Sequence, residues 1–405
     1  MKIESPIYRF EKFDKNWLFV KISDLASQFK TGGTPSTKEP TFWGGSIPWI
    51  QSSDIQKDIL FGVIPQKFIS EEGLQNSSAK LIPKNSIAIV TRVGVGKLAI
   101  IDQDYATSQD FLSLSDLNGD TQFIVYSIYR ILQKESAQLQ GTSIKGITKE
   151  DLLSKKISLP EFDEQSAIGA LFRTVDDLLA SCKDNLANYQ SLKATMLSKM
   201  FPKPGQTLPE IRLDGFDGEW GKYYLGDIFE QVSNYIEPSV ENELWSLTVE
   251  KGLTPKTDRY KRDFLVKKND KFKKVDVNEF VYNPMNLTLG ALDLNDNEVT
   301  ISVSGYYVVM KNRDIEKFDN DFLKILLKTT YAIYQYKQFA TGTLIEKQRV
   351  QFPTFSEIPF YLPPIAEQQA IGSYFSNIDN IINSHQEKIT QLETLKKKLL
   401  QDMFV

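Results

Sequence analysis

The chain has one cysteine and one histidine in 405 residues. A lone cysteine, Cys182, rules out an internal disulfide, and a reducing cytoplasmic location is expected. A lone histidine, His385, leaves little room for His-based nucleophilic catalysis or for a zinc site. Apolar runs long enough to cross a bilayer, about 18 residues, are missing, so no membrane span is expected. The N-terminal MKIESPIYRFEKFDKNW has no apolar core and no small-residue cleavage site, and so does not read as a secretory signal. Neither sign of charge dominates: 48 Lys and Arg stand against 52 Asp and Glu, a net charge of −4. That balance argues weakly against a chain coated in nucleic acid, although binding depends on local fields rather than totals.

Two apparent motifs fail on their own requirements. GVGKLA at 94–99 lacks the glycine that a Walker A loop needs at 91 and the Ser or Thr it needs at 98; the residues are Thr91 and Leu98. YNPMN at 282–286 has Met285 and Asn286 where the loop of an adenine amino-methyltransferase has a proline and an aromatic ring. No glycine-rich cofactor loop accompanies it, and no acid–acid–lysine nuclease cluster stands out.

What is present is a repetition. LPEFDEQSAIGALF from Leu159 returns as LPPIAEQQAIGSYF from Leu362, 203 residues later, and the register holds to Met200–Phe201 and Met403–Phe404. At the same offset Trp17, Asp24 and Ser36 fall on Trp220, Asp227 and Ser239. A duplicated chain suits a molecule with two similar working ends.

Four blocks follow. Residues 1–158 read as a mixed α/β domain, with strands at 86–90 and 97–101 and a helix over 121–139. Residues 159–202 carry a long helix over 163–200, which Asp163 is placed to cap. Its apolar residues (Ile168, Leu171, Phe172, Val175, Leu178, Cys182, Leu186, Tyr189, Leu192, Met196, Met200) recur by threes and fours, the mark of a coiled-coil seam. At about 1.5 Å per residue this is a rod of roughly 55 Å. Residues 203–361 form a second globular block, with strands at 280–283 and 300–310 and a helix over 319–338. Residues 362–405 repeat the rod. Each rod alone exposes an apolar stripe, so the two are expected to pair, antiparallel, with a globular domain at each end and a pseudo-twofold axis between them. The expected fold class is α+β. His385 and Cys182 occupy equivalent seam positions and are expected to pack there rather than bind a metal.

These features together resemble the specificity subunit of type I restriction–modification enzymes. The most specific part is the twice-used Leu-Pro-x₃-Glu-Gln-x₂-Ile before a long helix: Leu159, Pro160, Glu164, Gln165, Ile168, and Leu362, Pro363, Glu367, Gln368, Ile371. GTSIKGITKEDLLSKKISLP (141–160), TGGTPSTKEPTFWGGSIPWIQSSDI (31–55) and FVYNPMNLTLGAL (280–292) are similar to stretches of that family's recognition domains. The resemblance implies that each globular block is a target recognition domain reading one half of an asymmetric, bipartite duplex DNA site. The paired helices then set the unread spacer and dock two methyltransferase subunits, and two translocase–nuclease subunits join for restriction. It also implies no cofactor in this chain, since S-adenosylmethionine, ATP and Mg²⁺ belong to the partners, and no catalysis by this chain. The competing readings are a self-contained methyltransferase or nuclease, and a protein-binding adaptor that does not touch DNA.

Candidate DNA contacts follow from side-chain chemistry. In the first block they are the loop Thr31, Gly32, Gly33, Thr34 and Ser36, whose amides can approach phosphate, and Thr91, Arg92, Lys97, Ser108 and Gln109, whose side chains suit phosphates or base edges. In the second, residues 251–274 carry ten bases against three acids. Lys251, Lys256, Arg259, Tyr260, Lys261 and Arg262 are the candidates there, with Tyr282 and Asn283 beyond. The alternative for each is an ordinary surface loop. Glu164, Gln165, Glu367 and Gln368 either contact the methyltransferase or dock each rod on its own domain. On the first reading, replacing Glu367 and Gln368 by alanine weakens methyltransferase association and spares the fold.

Overall fold

The computed structural model describes residues 6–92, 94–138, 146–239, 241–256, 272–342 and 348–405. Its contacts divide the chain into two compact units, Met1–Asp184 with Gln386–Val405, and Asn185–His385.

The first unit contains strands β1 (Leu18–Lys21), β2 (Ala26–Thr31), β3 (Trp43–Ile50), β4 (Lys67–Ile69), β5 (Ser86–Val90), β6 (Leu98–Ile101), β7 (Ala106–Thr107), β8 (Phe111–Leu117) and β9 (Lys156–Leu159). Its helices are α1 (Glu71–Gln75), α2 (Thr121–Gln138) and α3 (Lys149–Ser154), together with the first part of α4 (Phe162–Lys199) and, from residue 386, the last part of the chain's C-terminal helix. A four-stranded antiparallel sheet runs β2-β8-β5-β6, and a smaller sheet runs β4-β3-β7. β5 is the fully buried run SIAIV, which explains why it reads as a strand with no alternation. α2 covers this sheet with Phe123, Ile124 and Ile128, all fully buried.

The second unit holds β10 (Gly221–Tyr224), α5 (Leu225–Ile228), β11 (Phe229–Val232), β12 (Trp245–Thr248), β13 (Gly252–Pro255), β14 (Phe272–Val275), β15 (Phe280–Tyr282), β16 (Leu292–Leu294), β17 (Ile301–Ser304) and β18 (Val308–Asn312). Then come α6 (Asn320–Leu326), α7 (Thr330–Phe339), α8 (Phe352–Ser356), β19 (Pro359–Leu362) and the first part of α9 (Ile365–Asp402). The sheet β11-β18-β15-β16 repeats the order of the first unit's main sheet.

Two expected elements are divided. The apolar run 300–310 is two strands in two sheets, because Ser304–Tyr307 turns, with the Tyr307 amide donating to the Ser304 carbonyl at 3.0 Å. The helix expected over 319–338 breaks before Thr329, whose hydroxyl accepts the Ala332 amide and starts α7 afresh. The carbonyl of Leu327, released by that break, takes the Tyr336 hydroxyl at 2.9 Å.

The duplication is visible in the pairing itself. Leu18 pairs with Leu159 in β1·β9, and Gly221 with Leu362 in β10·β19, the same register shifted by 203. Each two-stranded ribbon joins the lead-in of a domain to its exit. Asp24 and Asp227 each accept a backbone amide three residues back, from Lys21 and Tyr224.

Within each unit the two long helices run antiparallel. In the first, Lys396 pairs with Asp176 at 2.5 Å and Lys183 with Glu393 at 2.8 Å, while Phe404 packs on Phe172. In the second, Lys193 pairs with Asp379 at 2.5 Å, and Phe201 packs on Phe375. α4 begins at Phe162, so Asp163 lies inside its first turn rather than capping it. The seam also departs from expectation. Leu178 and Leu192 are 44% and 41% exposed, whereas Leu179 is buried. Lys193 and Lys396 take seam positions, their stems covered and their amines held by aspartate. Cys182 is buried, and the ring of His385 stacks on Tyr189.

Candidate nucleic-acid interface

In the first unit three segments distant in sequence converge. The Gly33 amide donates to the Thr107 carbonyl at 2.8 Å, and Thr34 shares a 2.6 Å hydrogen bond with Gln109. The Thr91 amide and hydroxyl both donate to the Asp110 carbonyl, at 2.7 and 3.0 Å. Loops 31–36, 91–92 and 107–110 therefore form one surface. The glycines allow the approach: a Cβ on Gly32 would lie 2.1 Å from Thr107 Oγ1, and one on Gly33 would lie 2.3 Å from the Ser78 carbonyl oxygen. Thr31, Thr34, Ser36, Arg92 and Gln109 face solvent, and Gly32 and Thr91 are half-buried. These are polar groups suited to phosphate and base edges.

Three candidates are corrected. Gly33 is buried with its amide already engaged, so it has no N–H to offer a phosphate. Ser108 is buried, and its hydroxyl donates to Asp110. Tyr282 is fully buried, its ring stacked on Phe355 at 4.9 Å, and burial raises its phenol pKa well above the ordinary value. Apolar residues from strand β15 and its neighbours enclose it, a core role that FVYN in sequence does not distinguish from a surface one. Lys97 is half-buried and donates to the Ser52 carbonyl, bracing a turn.

In the second unit Lys251 is exposed at the tip of the β12–β13 hairpin, and Lys256 is half-buried just after it. Asn283 is half-buried and accepts the Met285 amide. Arg259, Tyr260, Lys261 and Arg262 lie outside the described residues.

The Glu-Gln pairs have a definite place. Glu164 and Glu367 are 0% exposed, and each makes a bidentate ion pair with an arginine of its unit's lead-in. Arg9 holds Glu164 at 2.7 Å through both contacts, and Arg212 holds Glu367 at 2.8 and 2.6 Å. Each carboxylate supports its partner's positive charge and raises the guanidinium pKa. The same arginines donate to Lys15 and Gly218 carbonyls, positions again 203 apart. Gln165 accepts the Asp120 amide at 2.9 Å and donates to the Pro160 carbonyl, while Asp120 caps α2 through Phe123. Gln368 does the same with Asp319, Pro363 and Phe322 in the second unit. Glutamate thus fastens the lead-in and glutamine fastens a domain helix, both to the start of the long helix. These four side chains point into the protein, which is the docking role rather than a surface for a partner.

Arg9 and Arg212 carry no local signal in the sequence, although the 203-residue offset aligns them. Gly169 and Gly372 align in the same way. A Cβ on Gly169 would come within 2.6 Å of Asp120 Oδ1, and one on Gly372 within 3.0 Å of Asp319 Oδ1, so each glycine lets a capped helix end seat against the long helix.

Among the described residues no group of three or more His, Cys, Asp or Glu side chains is placed to hold a metal ion, and no helix is long and apolar enough to cross a membrane. The family model for the type I restriction modification DNA specificity domain matches residues 14–188 and again 217–394. The chain belongs to that DNA specificity family. It is 26% identical over 243 residues to the type I restriction enzyme MjaIX specificity subunit of Methanocaldococcus jannaschii, a match covering 57% of this chain and 55% of the relative. The chain thus spans about half the length of that relative. A match to the MjaVIII specificity subunit of the same organism is 22% identical and covers 99% of this chain and 96% of the relative. The fold is that of a type I restriction-modification S subunit from M. genitalium, with a TM-score of 0.63 over 99% of both chains at 16% identity.

Proposed function

We propose that this chain is the DNA-reading subunit of a type I restriction–modification complex. Residues 1–158 and 203–361 serve as two target recognition domains, and residues 159–202 and 362–405 as paired spacer helices. Each domain reads one half of a bipartite duplex site. The halves differ in sequence, because the two units share their framework and not their exposed loops. The observation that carries this reading is that contrast. Ribbon, Glu-Gln junction and helix repeat at one offset of 203, while of the loops at 31–36, 91–92 and 107–110 only Pro35 and Ser36 recur at that offset, as Pro238 and Ser239.

Phosphate contacts position such a domain and base-edge contacts give it sequence preference. Arg92, Gln109, Thr31, Thr34 and Ser36 in the first domain, and Lys251, Lys256, Arg259, Tyr260, Lys261, Arg262 and Asn283 in the second, supply both kinds of group. Two methyltransferase and two translocase–nuclease subunits act in the cytoplasm with this chain, bringing S-adenosylmethionine, ATP and Mg²⁺. The paired helices fix the unread spacer.

Mapping methylated adenines genome-wide in a host with and without this gene tests the reading. A new asymmetric motif of two short half-sites with an unread spacer supports it; no gene-dependent motif refutes it. Methyl transfer or DNA cleavage by the purified chain alone identifies it as an enzyme instead.

A further inference from the structure

With the Glu-Gln pairs turned inward, a docking surface for a protein partner has to lie elsewhere. In the first unit a cleft of about 850 Å³ opens between the loop at 58–62, α2, and the parts of α4 and α9 that belong to that unit. Leu60, Tyr129, Leu179 and Leu400 form its apolar lining, and Ile59, 47% exposed, stands at its rim. Six cations and four acids surround it. Each acid is engaged: Asp177 with Arg173, Glu393 with Lys183, Asp176 with Lys396, and Asp58 with the Tyr129 hydroxyl.

Two cations, Lys134 and Lys397, are left with no acidic partner among the described residues, and a third, Arg130, is incompletely engaged. Arg130 gives one Nη1 hydrogen bond to a terminal oxygen of Val405, the last residue, while its Nε is buried with no acceptor. A desolvated N–H without an acceptor is costly unless something arrives to take it. Lys134, one turn further along α2, has its pKa lowered by burial and by the charge of Arg130. An incoming carboxylate relieves both, and the charge-assisted bonds it forms are the strong ones.

We propose that this cleft receives a segment of the methyltransferase subunit bearing a carboxylate beside an apolar side chain. The carboxylate meets Arg130 and Lys134, and the apolar group covers Leu60, Leu179 and Leu400. The occupant is argued from charge complementarity and from the apolar rim at Ile59. This inference rests on the methyltransferase reading above, and the test separates the two.

The full chain is tagged and co-expressed with the methyltransferase, and the affinity of the recovered pair is measured. Lys134→Glu with Lys397→Glu reverses two exposed side chains and is expected to weaken association at least tenfold. Arg130→Met should weaken it as well. Lys80→Glu with Lys84→Glu makes the same charge change away from the cleft and should associate as wild type. Wild-type affinity in the Lys134/Lys397 variant, or an equal loss in the control, overturns the cleft assignment and leaves the methyltransferase reading standing. No association of the wild-type chain overturns the reading itself, and the cleft with it.

Discussion

Glu164 and Glu367 have no exposed surface, and each is paired with an arginine that remains partly solvated, at 17% and 16% side-chain exposure. Removing one member of a buried pair leaves the other desolvated and unpaired, at about 3–5 kcal/mol. Glu367→Ala is therefore expected to lower stability by that order in urea unfolding. The double variant Arg212→Met, Glu367→Leu should cost clearly less, since no stranded charge remains. This reverses the expectation that alanine at 367 and 368 spares the fold. Exposed Gln109 gives the opposite prediction: Gln109→Ala should leave the unfolding free energy within about 0.5 kcal/mol, as surface changes do, and relax sequence preference in one half-site only, read by methylation mapping. Glu-Gln was legible as a repeated signal, but its partners were not. Arg9 is 155 residues from Glu164 in the chain, and local patterning carries no information about a contact that distant.

At the scale of elements, the start of each long helix is a junction where a capped helix end, a lead-in arginine and a glycine meet. Alanine usually stabilises a helix relative to glycine, by about 1 kcal/mol. At Gly169 a Cβ would lie 2.9 Å from the Phe123 amide nitrogen, which belongs to backbone and yields little, whereas at Gly372 the matching distance to Phe322 is 3.2 Å. Gly169→Ala is expected to destabilise by about 1–3 kcal/mol through overpacking. Gly372→Ala should fall closer to neutral, and thermal unfolding of the two variants checks the order. The long helices were readable from their three-and-four spacing because that period reflects a single buried face. Their exact seam was not, since Leu178 and Leu179 are adjacent leucines and only packing chooses between them. α6 and α7 read as one helix in sequence because both are apolar on one side and Thr329 breaks the helix through its side chain, without a proline or glycine to announce it.

For the whole molecule, the proposal that paired helices set the DNA spacer makes a quantitative claim. Seven residues inserted at equivalent points of both helices preserve the alternation of threes and fours. They add about 10 Å of helix at about 1.5 Å per residue, against about 3.4 Å of DNA per base pair. The spacer in the methylated motif is expected to lengthen by about three base pairs. An unchanged motif in a folded, methylation-competent variant would falsify the ruler. Both half-site sequences should persist, because the recognition loops are untouched.

The sequence alone determined the duplication, the two long helices and the mixed α/β character of the domains, since all three are periodic and survive in a one-dimensional pattern. Tertiary structure decided which polar residues face inward. Gly33, Ser108, Tyr282 and the Glu-Gln pairs all have side chains or backbones that suit a ligand, and the fold uses each internally. The reason is physical: Tyr282 is buried for its ring, stacked on Phe355, and the other buried polar groups find their partners within the protein, supplied by chain folding rather than by chain order.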